Sequence, residues 1–227
     1  MFFCASFSFW VAILALLPVA SAGVSGLFPL LEKCEVTVNL ESMLCGACVA
    51  FDVSLLAMTD ITGAFAMTFY AGNLAPFLAK WRQFLVAFVE LGCTPFLVFD
   101  SLVYTFEPKL QTQAARRKTR DAAAAALQKL KAEASGLSGA ALRANQQDQV
   151  KAIKKVNKYS PELQVALIAL AAELQLPYTV APSQADVQIA YLVTTGVCQY
   201  AFSGDGDCLV HGVPVLLRSI SVFMYRK

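Results

Sequence analysis

Two short stretches near the end of the chain carry acidic and amide side chains at spacings that suit the binding of a cation. The first is Gln184-Ala185-Asp186, and the second is Asp205-Gly206-Asp207, which is expected in a tight turn after an apolar strand. Side chains spaced i, i+2 in a loop can converge on one ion, and hard divalent cations take oxygen ligands. The two stretches therefore predict a metal site, although Gln184 supplies an amide where a second carboxylate is expected.

Two further aspartates, Asp52 and Asp100, each close an apolar run that is typical of a buried strand. In parallel α/β sheets the carboxyl ends of the strands form the crevice where ligands bind. A single carboxylate at such an end is most often a helix cap. Two of them, followed by two acidic loops after later strands, favour one shared cluster. Crowded carboxylates raise each other's pKa unless a cation compensates, so such a cluster indicates a bound cation.

Apolar periodicity predicts the elements that must position these residues. A helix is expected over residues 75–91, where Gly92 ends the apolar repeat. Ser160 and Pro161 are typical of an N-cap and a first helical position, opening a helix through Leu174. Ser183 is expected to cap a helix over 184–193. Strands are expected to end at Asp52 and Asp100 and to cover 176–180, 197–202 and 213–217. This alternation predicts an α/β fold.

Charge is distributed unevenly along the chain. Residues 107–160 hold twelve Lys/Arg against four Asp/Glu, a net of +8, and the rest of the chain has a net of −6. Two helices are expected here, the first through the alanine block 122–126 and the second ending near Asn157, with a break at Ser135–Gly139. A basic excursion on an acidic body suits a polyanion partner. A solvated helical hairpin remains the alternative.

Composition limits the remaining possibilities. The 227 residues are 57% apolar and 15% charged, which suits one domain with a substantial core. Residues 1–22 end in Ala20-Ser21-Ala22 and are similar to a secretory signal peptide cleaved before Gly23, although the run lacks Lys and Arg. An unprocessed apolar extension or a wrongly chosen start codon is the alternative.

The seven cysteines do not predict a disulfide framework, because their number is odd and most lie in apolar runs. Cys45-Gly-Ala-Cys48 is a lone C-x-x-C, and the single histidine, His211, is far along the chain. A zinc site would need a second pair of ligands nearby. Buried thiols are therefore expected.

Six segments occur in an order that resembles the XPG and flap endonuclease family. They are GVSGLFPLL, VAFDVS, LVFD, the basic stretch, LPYTVAPSQADVQIAYL and FSGDGDCLVHG, and together they cover about Gly23 to Arg218. The resemblance implies a twisted, mostly parallel sheet flanked by helices, a PIN-like 5′-nuclease core, with a basic helical arch. It implies four segments: an N-terminal extension (1–22), an N-terminal nuclease block (23–106), the arch (107–160) and an internal nuclease block (161–227).

The resemblance also implies a chemistry. Members cut DNA, and some cut RNA, at a flap, nick or 5′ end with two divalent metal ions, magnesium or manganese; no small-molecule cofactor is expected, and the protein is expected to be a monomer. By their positions in the motifs, the implied metal ligands are Asp52, Asp100, Asp186, Asp205 and Asp207. Lys109 and Arg116 match the arch residues that contact the scissile phosphate. The remaining implied nucleic-acid contacts are Gly23, Arg117, Lys118, Arg120, Lys151, Lys154 and Lys155.

Departures from the family pattern leave a second function open. Gln184 stands where the family has glutamate, and the sequence ends at Lys227, before the family's next acidic ligand and its helix–two-turn–helix region. The alternative is a catalytically weakened or silent nucleic-acid-binding module, or a fragment of such a nuclease. The resemblance to a family whose members repair DNA implies a nuclear location for this protein, whereas residues 1–22 favour the secretory pathway or a membrane.

Overall fold

The computed structural model of the protein describes residues 27–31, 34, 36–103 and 109–218. These residues form five strands and ten α-helices. The strands are β1 (Cys48–Asp52), β2 (Thr94–Phe99), β3 (Tyr178–Val180), β4 (Tyr200–Phe202) and β5 (Leu216–Leu217). The helices are α1 (Leu27–Leu31), α2 (Leu40–Leu44), α3 (Val53–Thr62), α4 (Ala66–Tyr70), α5 (Ala75–Glu90), α6 (Lys109–Glu133), α7 (Gly139–Val156), α8 (Pro161–Glu173), α9 (Ala185–Thr194) and α10 (Asp207–Val210).

The described residues divide into two compact units, one drawing on those up to Leu55, on 82–101 and on 168–218, and the other on 56–81, 102–103 and 109–167. The first unit contains a five-stranded sheet in the order β3-β2-β1-β4-β5, and every pair of neighbouring strands is parallel. This confirms the predicted α/β fold with a mostly parallel sheet.

Successive side chains of β1 pack on opposite faces of the sheet, as the two-residue period of a strand requires. Phe51 lies in an aromatic cluster with Phe84 and Phe88 of α5 and with Phe202 of β4, with ring centroids 4.9–5.9 Å from that of Phe51. Ala50 belongs to the other cluster, which buries the apolar side of α9. A sheet covered on both faces explains why its strands are almost continuously apolar.

The second unit is helical and contains the basic pair α6 and α7. Leu127 of α6 packs with Ala152 and Ile153 of α7 and with Ala66 of α4. Asn157, at the end of α7, is buried and donates through Nδ2 to the carbonyls of Ile61 and Ala66 at 2.7 and 2.9 Å. Its amide therefore joins the end of α7 to the backbone of α3 and of α4.

Most predicted helices occur within one or two residues of their expected bounds. Ser160 Oγ accepts a hydrogen bond from the Leu163 amide at 3.3 Å, so the predicted N-cap of α8 is confirmed. Gly92 has φ +77° and follows the end of α5, which confirms it as the stop signal. The strands after β2 are shorter than expected, because a strand's length is fixed by its pairing partners as well as by its apolar residues. Within the described part of the chain, no helix combines the length and apolar content needed to cross a bilayer.

Candidate acidic site at the carboxyl edge of the sheet

The order of the strands defines where a ligand would bind in the first unit. From β1 the chain proceeds outward to β2 and β3, and later returns to the other side of β1 to add β4 and β5. The change of direction lies between β1 and β4, and in open α/β sheets ligands bind outside the carboxyl ends of the strands at such a point. Asp52 ends β1, and Asp205 lies three residues after the end of β4.

Asp52 is hydrogen-bonded through both carboxylate oxygens. Oδ1 accepts from the Leu55 amide at 3.1 Å, so this aspartate caps the first turn of α3. Oδ2 accepts from Ser203 Oγ at 3.0 Å, and Ser203 Oγ in turn accepts from the Asp205 amide at 3.1 Å. The fully buried Ser203 therefore connects the end of β1 to the acidic loop after β4.

Ser203 is not among the site residues predicted from the sequence. Its position directly after an apolar strand is the only local signal, and many serines share it. Its function depends on Asp52, which lies 151 positions earlier in the chain. Ser54 was not predicted either, because its partner is also distant in the sequence. It is buried and accepts through Oγ from the Asp100 amide at 3.0 Å. Both hydroxyls orient candidate ligands.

Burial raises the pKa of Asp52 to about 7, and the negative charges of Asp100 and Asp186 add smaller increases. The hydrogen bonds from the Leu55 amide and from Ser203 act in the opposite direction. The Asp52 side chain is only 6% exposed, so water contributes little to stabilising its ionised form. A carboxyl group in this state is only partly ionised at neutral pH, and a nearby cation would favour its ionised form by compensating for the lost hydration.

Asp100 caps the helix that carries the next acidic motif. Its Oδ1 accepts from the Ala185 amide at 2.8 Å, at the first residue of α9. The prediction that Ser183 caps this helix is wrong: Gln184 occupies the N-cap position, and its own side chain makes no capping hydrogen bond. The cap comes instead from the end of β2, because Asp100 reaches the orphan amide across the edge of the sheet.

Asp186 and Gln184 lie at the start of α9. Asp186 is in the first helical turn, where a negative charge interacts favourably with the helix dipole, and its Oδ1 accepts from the Val187 amide at 2.9 Å. Both side chains are half-buried. The start of α9 thus presents one carboxylate and one amide at the edge of the sheet that Asp52 and Asp100 also occupy.

Asp205 and Asp207 occupy the loop after β4. Asp205 Oδ1 accepts from the Asp207 amide at 3.2 Å, and Asp207 is the first residue of the short helix α10. Burial is the main cause that raises the pKa of the Cys208 thiol. Four nearby carboxylates raise it further, those of Asp52, Asp186, Asp205 and Asp207. These four carboxylates therefore act on one small region of the protein.

This donor set fits a hard divalent ion in its chemistry, since all of its charged members are carboxylates. The Asp52 carboxyl is buried beside other acids, so a bound cation would stabilise its ionised form. In the described residues, however, no three acidic, histidine or cysteine side chains lie close enough to form a ready-made ligand group. The side chains at this edge would have to draw together to complete a coordination shell.

The predicted nucleic-acid contacts that the structure describes belong to the second unit. Arg116, Arg117 and Lys118 are exposed along α6, and Arg120 is half-buried. Lys151, Lys154 and Lys155 are exposed on α7. The structure describes the backbone of Lys109, the first residue of α6, but not its side chain. Gly23 lies outside the described residues. Their roles stay predictions.

Ion pairs neutralise part of the basic surface, and two of them involve predicted nucleic-acid contacts. Arg117 lies 3.9 Å from Asp121, and Lys151 lies 2.8 Å from Asp148. All four side chains are largely exposed, and such pairs contribute little to stability in water. The cations can therefore exchange these partners for phosphate groups at small energetic cost.

Comparison with known protein sequences finds the same motifs elsewhere. The family model of the XPG I-region matches residues 175–227. Flap endonuclease 1 of Theileria parva is 30% identical over 216 residues, which are 90% of this chain and 41% of that protein. Flap endonuclease 1 of Pyrobaculum aerophilum is 30% identical over 195 residues, 84% of this chain and 53% of that protein. The chain spans about half the length of the curated relatives it matches.

Solved structures share the fold. The catalytic core of Rad2 in complex with DNA substrate matches with a TM-score of 0.53 at 16% identity, over 86% of this chain and 48% of that one. Human GEN1 in complex with Holliday junction DNA matches with a TM-score of 0.52 at 14% identity, over 89% of this chain and 42% of that one. At these identities the likeness establishes the architecture.

Proposed function

The chain belongs to the XPG and flap endonuclease family, and on that premise we propose that it is a structure-selective 5′ nuclease that hydrolyses DNA with the help of divalent metal ions. One observation carries the proposal: hydrogen bonds run from Asp52 through Ser203 to Asp205 at the change of direction of the sheet. They join the Asp52 carboxylate at the end of β1 to the backbone of the loop that carries Asp205, although the two lie far apart in the sequence. Flap endonucleases among the relatives and DNA complexes among the structural neighbours support a DNA substrate.

The acidic residues have distinct parts in this proposal. Asp52, Asp100, Asp186, Asp205 and Asp207 would hold two magnesium or manganese ions, directly or through water. Bound ions would supply an activated water and stabilise the charge on the leaving oxygen. Ser203 would hold the Asp52 carboxylate and the backbone of Asp205, and Ser54 the backbone of Asp100, while the remaining carboxylates draw together around the ions.

The basic helices would bind the phosphate backbone. Lys109 and Arg116, seven residues apart in the sequence, would stabilise the charge of the phosphate being cleaved. The exposed cations of α6 and α7 would hold the strand without reading its bases. Because phosphate contacts release counterions, affinity should fall steeply with salt and depend little on sequence.

A cleavage assay tests the proposed function. The purified full-length chain is incubated with a labelled 5′-flap duplex, a nicked duplex or unbranched duplex, in magnesium or in manganese. Cleavage is expected at the branch or the 5′ end, and chelation of the metal with EDTA should stop it. Equal cutting of all three substrates would contradict structure selectivity, and cutting in EDTA would contradict the metal requirement.

A second candidate function is a nucleic-acid-binding module without turnover. Two observations favour it. Among the described residues, no three acidic side chains lie close enough to bind one metal ion. In addition, Gln184 carries no charge. Salt-sensitive binding of the flap substrate with no cleavage at any metal concentration would support this function over the nuclease.

The amide at Gln184 gives a prediction of its own. Gln184→Glu should increase cleavage at sub-saturating magnesium by roughly tenfold, because it adds a negative charge to the metal-binding edge. The charge would also be favourable at the N-terminus of α9. The measurement is a magnesium titration of the cleavage rate.

The matched control for this variant is Gln128→Glu, which adds the same charge at an exposed position of α6. It should leave the magnesium dependence of the rate unchanged. An unaltered titration for Gln184→Glu would show that the missing charge does not limit metal occupancy.

A further inference from the structure

The amino edge of the same sheet holds a pair of thiols that the proposed nuclease does not use. Cys48 begins β1, and Cys198 lies two residues before β4, the parallel neighbour of β1 in the sheet. Their Sγ atoms are 3.0 Å apart although the residues are 150 positions apart in the chain. Both are free thiols in the structure. Cys48 and Asp52 are the first and last residues of the five-residue strand β1, so this edge and the acidic site lie at opposite ends of it.

The backbone around the two thiols is held firmly in register. The Cys48 amide donates to Gln199 Oε1 at 2.7 Å, and the Gln199 amide donates to the Cys48 carbonyl at 2.9 Å. A disulfide bond is about 2.05 Å long, so the sulfurs need to approach by only about 1 Å. Rotation about the Cα–Cβ bonds can provide that movement while the strands stay paired.

The two sulfurs differ in access and in acidity. Cys48 is half-buried, whereas Cys198 is only 1% exposed. The hydrogen bond from the Cys198 thiol lowers the pKa of Cys48, and the same contact, with burial, raises that of Cys198. Cys48 is therefore the thiol that an oxidant meets first and the one that loses its proton more readily, and Cys198 is placed to attack it afterwards.

We propose that Cys48 and Cys198 are a modification site at which a low-molecular-weight disulfide, such as oxidised glutathione, introduces a reversible cross-link between β1 and the segment leading into β4. The Cys48 thiolate attacks one sulfur of the oxidant, whose S–S bond breaks, and one glutathione leaves and takes up a proton. Cys198 then loses its proton and attacks the Cys48 sulfur, which releases the second glutathione. Two protein thiols are oxidised to one disulfide, and one small disulfide is reduced to two thiols.

The cross-link would stabilise the fold and leave the acidic edge in place. It closes a long loop and joins the two strands on either side of the point where the sheet changes direction, so it restricts the unfolded chain strongly. The oxidised protein is expected to melt about 5–10 °C above the reduced protein. Because the acidic edge lies at the other end of β1, this inference holds whether or not the chain is a nuclease.

Peptide mapping without reduction tests the site. The full-length chain is treated with oxidised glutathione, its remaining thiols are alkylated, and fragmentation of the linked peptides locates the bond. A Cys48–Cys198 bond that dithiothreitol removes is expected, together with the higher melting temperature. Stable glutathione on Cys48, a bond to Cys45 or Cys93 in its place, or free thiols at both positions would overturn the proposal.

Serine variants supply the controls. Cys48→Ser and Cys198→Ser should each abolish the cross-link and the rise in melting temperature. Cys45→Ser, which removes the exposed thiol of the C-x-x-C, and Cys93→Ser, which removes a buried neighbour, should retain both. If a variant does not fold, the peptide map of the wild-type chain still identifies the bonded pair.

Discussion

Asp205→Ala should reduce cleavage of a 5′-flap duplex by more than about a hundredfold while the protein stays folded. The carboxylate lies half-buried in the loop that Ser203 ties to Asp52, so its removal takes away a donor from the centre of the acidic edge. The hydrogen bond that the Asp207 amide donates to Asp205 Oδ1 is lost with it. The measurement is the single-turnover rate, accompanied by a melting curve.

The matched control is Glu90→Ala, which removes the same charge from an exposed position at the end of α5. It should cleave at the wild-type rate. An Asp205→Ala protein that melts normally and retains full activity would remove this carboxylate from the metal-binding set. A variant that fails to bind the flap at all would instead indicate that the loop contacts DNA.

Asp52 should make the stability of the metal-free protein depend on pH. Its pKa is about 7 in the folded protein against an ordinary value of 3.8, so between these values the folded chain holds a proton that the unfolded chain has lost. The free energy of unfolding therefore falls as pH rises from about 4 to 7, and the loss levels off above that range. Its expected size is about 4 kcal/mol, since one pKa unit corresponds to about 1.4 kcal/mol.

Denaturant unfolding in EDTA at a series of pH values measures this effect, with Asp52→Asn as the comparison. The asparagine keeps the size of the side chain and cannot ionise, so its curve should lack the decline. Magnesium added at pH 8 should stabilise the wild-type protein more than the variant, because a cation bound near Asp52 favours the ionised folded state. Parallel pH curves for the two proteins would show that Asp52 does not titrate in this range.

Local sequence was sufficient for the elements whose stability is local. The alanine-rich, charged helices α6 and α7 and the cap formed by Ser160 follow from propensity and capping, which depend on residues a few positions apart. Asp52 and Asp100 were found because an apolar run that ends in a carboxylate is visible in the sequence. The cluster itself was a prediction from the parallel arrangement of such strands.

The contacts that define the site could not be predicted from local sequence patterns, because they join residues far apart in the chain. Asp100 caps α9 across 85 positions, and Ser203 meets Asp52 across 151. A serine that orients a ligand and a serine that only caps a helix look alike in sequence, which is why Ser183 was chosen wrongly. The exposure of Cys34 and Cys45, against the expectation of buried thiols, was likewise decided by packing.

The sequence by itself therefore determined the α/β class, the types of residue available for chemistry and the strand ends that carry them. Only the tertiary structure decided the strand order that puts β4 beside β1. That order depends on which apolar faces fit together, a property of the whole core that no short segment contains. It brings Asp52 to Ser203 at one edge of the sheet and Cys48 to Cys198 at the other.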